Sequence, residues 1–285
     1  MLSGLPASGK TTTAQEMLAK AGNGVRLNRD LLREMLHFGK WTPLNEKKTI
    51  EAEKELAGMF LADGVNVIVD DTNLSPGHKD MWQHIADLYG AKFQHVRIKT
   101  GWKECVLRDV FREKTVGQDM IVQMAMQHGY MDPPEKGYVV CDLDGTIADI
   151  SHRLHLVKGV EKKDWKGFFE AIPLDTLRID VLDQLKPLYD AGYDIVFVSA
   201  RPDTYRNETT AWLTDHVLDD IDYLTLIMRR SGDRRPDTEV KEDILNKYLG
   251  GGKHIHKVFD DRPSVIRMWR EHGLDVVDCG SGIEF

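Results

Sequence analysis

Two carboxylates near the middle of the chain have the type and spacing for phosphoryl transfer. They are Asp142 and Asp144, in the stretch Val139–Asp149 that reads VVCDLDGTIAD. A carboxylate can attack phosphorus and carry the phosphoryl group as an aspartyl-phosphate. A second carboxyl two positions on points to the same side of an extended chain and can protonate a leaving oxygen. The apolar run before Asp142 has the character of a buried parallel strand, and open α/β sheets hold ligands beyond the carboxyl ends of such strands. The stretch reads as a phosphatase nucleophile loop. A strand closed by a capped Asp-Gly turn accounts for the same residues without chemistry.

A second chemical set opens the chain. Gly4-Leu-Pro-Ala-Ser-Gly9-Lys10-Thr11 fits the pattern GxxxxGK followed by Ser or Thr at every fixed position. In such a loop the glycines let backbone N–H groups wrap phosphates, Lys10 reaches the β- and γ-phosphates of ATP, and the Thr11 hydroxyl binds Mg²⁺. Residues 12–20 have the helix-forming composition that must follow. Further on, Asp30 and Arg33 share one face of an amphipathic segment. They read as a general base for a substrate hydroxyl and a clamp for a substrate phosphate, or as an N-cap with a surface ion pair. Asp71 stands at the end of an apolar run, where a carboxylate in such a protein lies near metal or acceptor. Arg108 and Arg112, at i and i+4, can neutralise a transferring phosphoryl group, although Glu104 offers Arg108 an ordinary surface partner.

These residues need strands and helices to hold them. In the first half the pattern predicts strands at Val25–Asn28, Val65–Val69 and Phe93–Ile98. Helices are expected over 46–62 and 76–89, followed by one carrying both arginines opposite Val106, Leu107, Val110 and Phe111. Tyr130–Gly137, with paired prolines and a glycine, reads as a linker between domains at 1–131 and 138–285. After Thr146 a helix-rich stretch includes Trp165, Phe168 and Phe169, expected in the core or a small cap. A helix over Val181–Ala191 precedes a strand, Asp194–Val198, that runs into Ser199 and Arg201. A strand at Tyr223–Met228 leads to the basic loop Arg229–Arg235, and Lys241 opens a helix over 239–249. The strand His256–Phe259 ends in Asp260-Asp261-Arg262, and Val276–Asp278 and a glycine-rich tail close the chain. The pattern predicts two α/β domains, each a mainly parallel sheet flanked by helices. One feature sits awkwardly: only Met1-Leu2-Ser3 precede Gly4, so the first strand is a stub or the natural start lies upstream.

A formal net charge of −8 argues against broad polyanion binding, but local patches can still hold phosphates. Candidates are Arg229-Arg230, Arg234-Arg235, and Arg108, Arg112 and Lys114. No apolar run approaches a membrane span, so no membrane partner is expected. Cys105, Cys141 and Cys279 form no CxxC and read as free thiols of a cytoplasmic protein. The histidines lack the spacing of a zinc site.

With these motifs in hand, residues 138–285 resemble the haloacid dehalogenase-like phosphotransferases, through DxDGT at 142–146, Ser199, Lys241 and Asp260-Asp261. The resemblance implies Asp142 as nucleophile and as a metal ligand, Asp144 as general acid and later base, and Lys241 neutralising nucleophile and phosphate. Asp260 and Asp261 would hold Mg²⁺, which suits an all-oxygen site where carboxylates repel one another. The whole chain is similar to the phage-type polynucleotide kinase–3′-phosphatases: a P-loop NTPase fold, then a haloacid dehalogenase-like Rossmannoid fold with a small cap. By that resemblance Asp30 activates a 5′-hydroxyl, and Arg33 and Asp71 clamp the acceptor. Arg108 and Arg112 cover the ATP phosphates, while Ser199, Arg201, Arg229 and Arg262 contact phosphate or nucleic acid. It further implies RNA or DNA ends as substrates, 3′-phosphate or 2′,3′-cyclic phosphate removal, a ligase acting downstream, a homo-oligomer, and the host cytoplasm for a phage protein. A small nucleotide, sugar or other metabolite is the competing substrate class.

Overall fold

The structure is a computed structural model that describes residues 1–280; the tail from residue 281 on lies outside them. The chain divides into two compact units, Met1–Met131 and Asp132–Phe285.

In the first unit the order is β1 (Leu2–Ser3), α1 (Lys10–Ala21), β2 (Gly24–Leu27), α2 (Arg29–His37), α3 (Pro43–Ala62), β3 (Asn66–Val69), α4 (Pro76–Leu88), β4 (Val96–Arg97), α5 (Trp102–Asp109) and α6 (Gln118–His128). The stub β1 is buried and pairs in parallel with β4, β2 pairs in parallel with β3, and Leu2 bridges to Asp70. That bridge joins the pairs in the order β2-β3-β1-β4. An apolar cavity of about 450 Å³ beside the stub is lined by Met1, Leu2, Ala57, Trp82, Ile85 and Phe93 among others. Gly9, at φ +98°, turns the loop after β1 into α1, a left-handed conformation that glycine adopts without a Cβ penalty. The Asn28 side chain accepts from Leu31 N–H at 3.1 Å and starts α2, a cap worth about 1 kcal/mol.

One expected helix is shorter than its pattern. α5 stops at Asp109, so Arg112 lies beyond it rather than one turn along it. The cause is the buried Asp109 carboxylate, which accepts from the N–H groups of Val116 and Gly117 at 2.7 and 2.8 Å and from Arg112 at 3.0 Å. These bonds satisfy it by folding the chain back. The face expected to be buried differs too: Leu107, Val110 and Phe111 are exposed, and only Val106 packs against a core.

The second unit runs β5 (Tyr138–Cys141), β6 (Ala148–Asp149), α7 (Trp165–Glu170), β7 (Thr176–Leu177), α8 (Ile179–Asp190), β8 (Asp194–Pro202), α9 (Arg206–His216), β9 (Thr225–Arg229), α10 (Asp237–Tyr248), β10 (Ile255–Asp260), α11 (Pro263–Glu271) and β11 (Val276–Asp278). Five strands form one parallel sheet in the order β11-β10-β5-β8-β9. Every residue of β5 is buried, as a strand covered on both faces requires. Val139, Cys141, Ile195, Phe197, Leu226 and Phe259 from four strands meet Leu182, Leu185 and Trp212 in one core. Central β5 delivers Asp142 to the carboxyl edge, flanked by the ends of β8 and β10. Between β5 and β8, β6 and β7 pair antiparallel, and Ile150, Val157 and Phe168 form the small core of a cap.

Candidate active sites

In the first unit a cavity of about 500 Å³ is lined by residues 6–11 together with Asp30, Arg33, Asp71, Arg108 and Arg112. Gly4 does not line it; a Cβ there would lie 2.8 Å from Ser8 Oγ and 3.0 Å from Ile98 O, so this glycine serves close packing. The Lys10 ammonium donates to Leu5 O at 2.7 Å and Gly4 O at 3.2 Å, which holds its head over the loop with a third N–H to spare. Burial lowers its pKa, so an anion arriving there relieves a desolvated charge. Thr11 Oγ1 donates to Asp70 Oδ2 at 2.9 Å, and Arg26 Nε reaches the same oxygen at 2.7 Å. Asp70 Oδ1 is buried with no hydrogen-bond partner among the described residues. A threonine hydroxyl whose lone pairs are free, beside an unsatisfied carboxylate oxygen, fits a hard cation such as Mg²⁺. The Arg108 guanidinium lies against the loop, 3.6 Å from where a Cβ on Gly9 would stand.

The acceptor side of this cavity holds the expected pair and one residue that was not expected. Asp30 is exposed and takes Arg33 Nη1 at 2.7 Å, while Arg33 also holds Glu46 at 2.8 Å. Asp71 Oδ1 accepts from Arg29 N–H at 2.8 Å. Behind it stands Glu53, wholly buried, with Arg29 Nε at 2.8 Å. Burial and then the Asp71 carboxylate push Glu53 up to about 8. Glu53 Oε1 and Asp71 Oδ2 are both buried without a hydrogen-bond partner among the described residues, although Arg29 Nε lies 3.5 Å from Asp71 Oδ2. One proton held between the two carboxyls satisfies both oxygens and removes the repulsion between like charges.

In the second unit Lys241 Nζ bridges Asp142 Oδ1 at 2.9 Å and Asp260 Oδ2 at 2.7 Å. Trp269 Nε1 donates to that same Asp260 oxygen at 3.0 Å, and Arg262 N–H to the other at 3.2 Å. Gly145, at φ +80°, lets Asp261 approach so closely that a Cβ there would stand 2.2 Å from Asp261 Oδ2. Carboxylate oxygens of Asp142, Asp260 and Asp261 lie within 4.8 Å of one another. Burial pushes Asp142 well up against the pull of Lys241, and burial followed by Asp260 pushes Asp261 up to about 6. Three crowded carboxyls with one lysine leave excess negative charge, and an all-oxygen set of this kind fits Mg²⁺.

Asp144 has different company. Arg153 Nη2 and Arg201 Nη2 reach its Oδ1 at 2.5 and 2.6 Å, and both guanidiniums also grip buried Asp175. Burial opposes ionisation of Asp144, but Arg201 and Arg153 override it and hold the carboxyl well below the usual range. Arg201 was expected on the substrate phosphate; instead it is fully buried and spent on Asp144 and Asp175. The register of β8 slips between Ser199 and Pro202, and an irregularity of this kind re-aims side chains. Ser199 is buried and outside the cavity lining, its Oγ accepting from Arg201 N–H at 3.2 Å. Arg229 and Arg262 do line that cavity, of about 600 Å³, and both are fastened to Asp237.

Glu53, Arg153, Asp175 and Asp237 are the site residues that sequence reasoning missed. None belongs to a motif, and each works by holding a residue that does.

Residues 136–283 match the family described as the polynucleotide kinase PNKP phosphatase domain. The chain belongs to that family. Residues 1–131 match the AAA domain family, and the resemblance read from the motifs is thereby a family relationship. The two units accordingly take a P-loop fold and a haloacid dehalogenase-like fold. Domains of these kinds generally use ATP and Mg²⁺. A protein of Autographa californica nuclear polyhedrosis virus, named as a proposed bifunctional polynucleotide kinase/RNA ligase, is 30% identical over 315 residues. That alignment takes in 100% of this chain and 43% of the viral protein, so the chain spans less than half of that relative. Among solved structures, a chain of the Pnkp1/Rnl/Hen1 RNA repair complex is 26% identical, with 99% of this chain and 96% of that chain covered and a TM-score of 0.43. No helix among the described residues is long and apolar enough to cross a membrane.

Proposed function

We propose that the chain heals both kinds of broken nucleic-acid end: the first unit phosphorylates a 5′-hydroxyl from ATP, and the second removes a 3′-phosphate. The observation that carries this reading is the convergence of Asp142, Lys241, Asp260 and Asp261 at one sheet edge in a member of the polynucleotide kinase phosphatase family. The Lys10 loop with Asp30 and Arg33 at one cavity supplies the complementary half.

In the first unit Asp30 takes the proton of the attacking hydroxyl while Arg33 and Asp71 hold the acceptor strand. Lys10, Arg108 and Arg112 neutralise charge on the transferring group, an electrostatic task that dominates such reactions. Thr11 would hold Mg²⁺, which would supply positive charge against the phosphates of ATP. In the second unit the Asp142 carboxylate attacks phosphorus, the P–O bond to the 3′-oxygen breaks, and an aspartyl-phosphate forms on Asp142. Water then attacks that phosphorus, giving a proton back to Asp144, and the P–O bond to Asp142 breaks to release inorganic phosphate and the free carboxylate. Lys241 offsets charge on Asp142 throughout. Asp144 delivers the proton to the leaving oxygen. Its arginines oppose that protonation, so the substrate's negative phosphate must supply the opposing charge. Asp142, Asp260 and Asp261 would hold Mg²⁺. Asp261 is the better placed to bind directly, since Lys241 and Trp269 already occupy one Asp260 oxygen.

The products are a 5′-phosphate and a 3′-hydroxyl, the ends a ligase joins, and the viral relative's name pairs the kinase with an RNA ligase. The test uses RNA and DNA oligomers with 5′-hydroxyl or 3′-phosphate ends. Label transfer from γ-labelled ATP and release of inorganic phosphate are expected. No transfer to any 5′-hydroxyl oligomer would refute the kinase half, and release only from small metabolites would refute the polymer substrate.

A further inference from the structure

The second unit's cavity has two features that the catalytic carboxylates do not use. One is Trp165, 43% exposed, on the cavity lining with Phe168 and Phe169. Its ring lies 20° from parallel to Phe169, with centroids 6.0 Å apart, and meets Phe168 edge-on at 5.8 Å. Phe168 is buried and fixed from behind: Arg153 sits 4.2 Å over its ring and donates to its carbonyl at 3.1 Å. The indole is thus backed by a rigid layer that the Asp144 clamp itself anchors. Packing on Phe168 and Phe169 seats Trp165 on the cap, whose core is closed by Ile150, Val157 and Phe168, but leaves 43% of the residue exposed. Lys163 Nζ lies 5.3 Å over the indole.

The same cavity lining is also basic, and its arginines differ. Arg229 and Arg262 are tied to Asp237, and Arg235 to Asp233 and Asp243. Arg234, exposed on the same lining, has no ion pair or hydrogen bond among the described residues. A partly exposed flat ring on a fixed backing, sharing its cavity with a cation not already neutralised, has the chemistry of a single-stranded nucleic-acid site. There bases stack on aromatic rings and cations follow the backbone.

We propose that Trp165 is the stacking platform for the base of the terminal nucleotide whose 3′-phosphate meets Asp142, and that Arg234 pairs with the next phosphodiester inward. This rests on the 3′-phosphatase reading above and adds that the enzyme reads the presence of a base, not its identity, since every base has a face to stack.

The experiment compares a 3′-phosphorylated oligomer with one whose 3′-terminal nucleotide is abasic. The native enzyme is expected to favour the base-bearing end by about 5- to 140-fold in kcat/KM, the range that stacking on one aromatic residue gives. Trp165→Ala should bring that ratio close to one, whereas Trp165→Phe should keep most of it. Arg234→Ala, at an exposed position with no ion pair or hydrogen bond to lose among the described residues, should raise KM on the oligomer and flatten the log KM against log salt slope by roughly 0.7 to 1. An unchanged base-to-abasic ratio in Trp165→Ala, or an unchanged salt slope in Arg234→Ala, overturns this inference while leaving the 3′-phosphatase intact. If the native enzyme releases phosphate from neither oligomer, the 3′-phosphatase reading falls and this inference falls with it.

Discussion

Glu53→Gln should make the first unit more stable, and more so as pH rises. The Glu53 carboxyl is wholly buried beside Asp71, and its pKa stands at about 8 against an ordinary 4.5. Because the folded state holds a proton that the unfolded state releases, stability is fullest below pH 4.5 and drains away as pH climbs to about 8. The slope is about 1.4 kcal/mol per pH unit, so by pH 7 roughly 3 kcal/mol has gone. A glutamine has the shape of the protonated acid and can donate to Asp71 Oδ2 as the shared proton does, with no ionisation to suppress in the unfolded chain. The variant should therefore gain about 3 kcal/mol over the parent at pH 7 and little near pH 4.5. Denaturant melts of the full chain at pH 5, 6, 7 and 8 measure this. The relevant transition is the one that ATP shifts, since a ligand of one unit stabilises that unit. If Glu53→Gln melts earlier than the parent at pH 8, or if their gap does not widen from pH 5 to 8, Glu53 is an ionised partner of Arg29 and the shared proton is wrong.

Other consequences are as direct. Asp142→Asn removes the nucleophile and should cut phosphate release more than about a thousandfold with 5′-labelling unaffected; loss of both activities would refute separate sites. Lys10→Met should do the converse, abolishing label transfer and sparing phosphate release. Arg201→Met leaves Arg153 as the one guanidinium shared by Asp144 and Asp175, which otherwise keeps only His152 at 3.0 Å among the described residues, and breaking such a buried charge set should cost about 3–5 kcal/mol; melting and phosphate release together check it. Chelation with EDTA should silence both reactions and added Mg²⁺ restore them, whereas activity in excess chelator would contradict both metal assignments.

What could be read from the sequence was whatever chemistry demands at short range. A phosphate loop needs its glycines, lysine and threonine within eight positions, and a nucleophile with its partner carboxyl needs two residues' spacing, so both stood out. Parallel strands were legible because a run such as Val139–Cys141 has no polar face. Long-range partners left no local mark. Glu53 is one acid in a helix rich in them, and only the approach of Asp71 distinguishes it from its exposed neighbours. Arg153 sits in an unremarkable Ser-His-Arg run, yet it neutralises Asp144. Arg201 was assigned to the phosphate because it follows a strand; the need to neutralise a buried aspartate claimed it instead. α5 ended early because Asp109 found backbone donors that no periodicity records.

The place of β10 in the second sheet has a consequence for synthesis. Thr146 and Asp261 are 115 residues apart in the chain, although the strands bearing their neighbourhood, β5 and β10, lie side by side. A ribosome adding about 5–20 residues per second needs roughly ten seconds to cover that interval. Throughout it, the nascent chain carries every proposed catalytic group of the first unit, while one edge of β5, its most apolar strand, has no neighbour. An unpaired apolar edge recruits other strands. Slow or interrupted translation of the last third should therefore favour aggregation, or a chaperone's attention, and yield chains that transfer phosphate but cannot remove it.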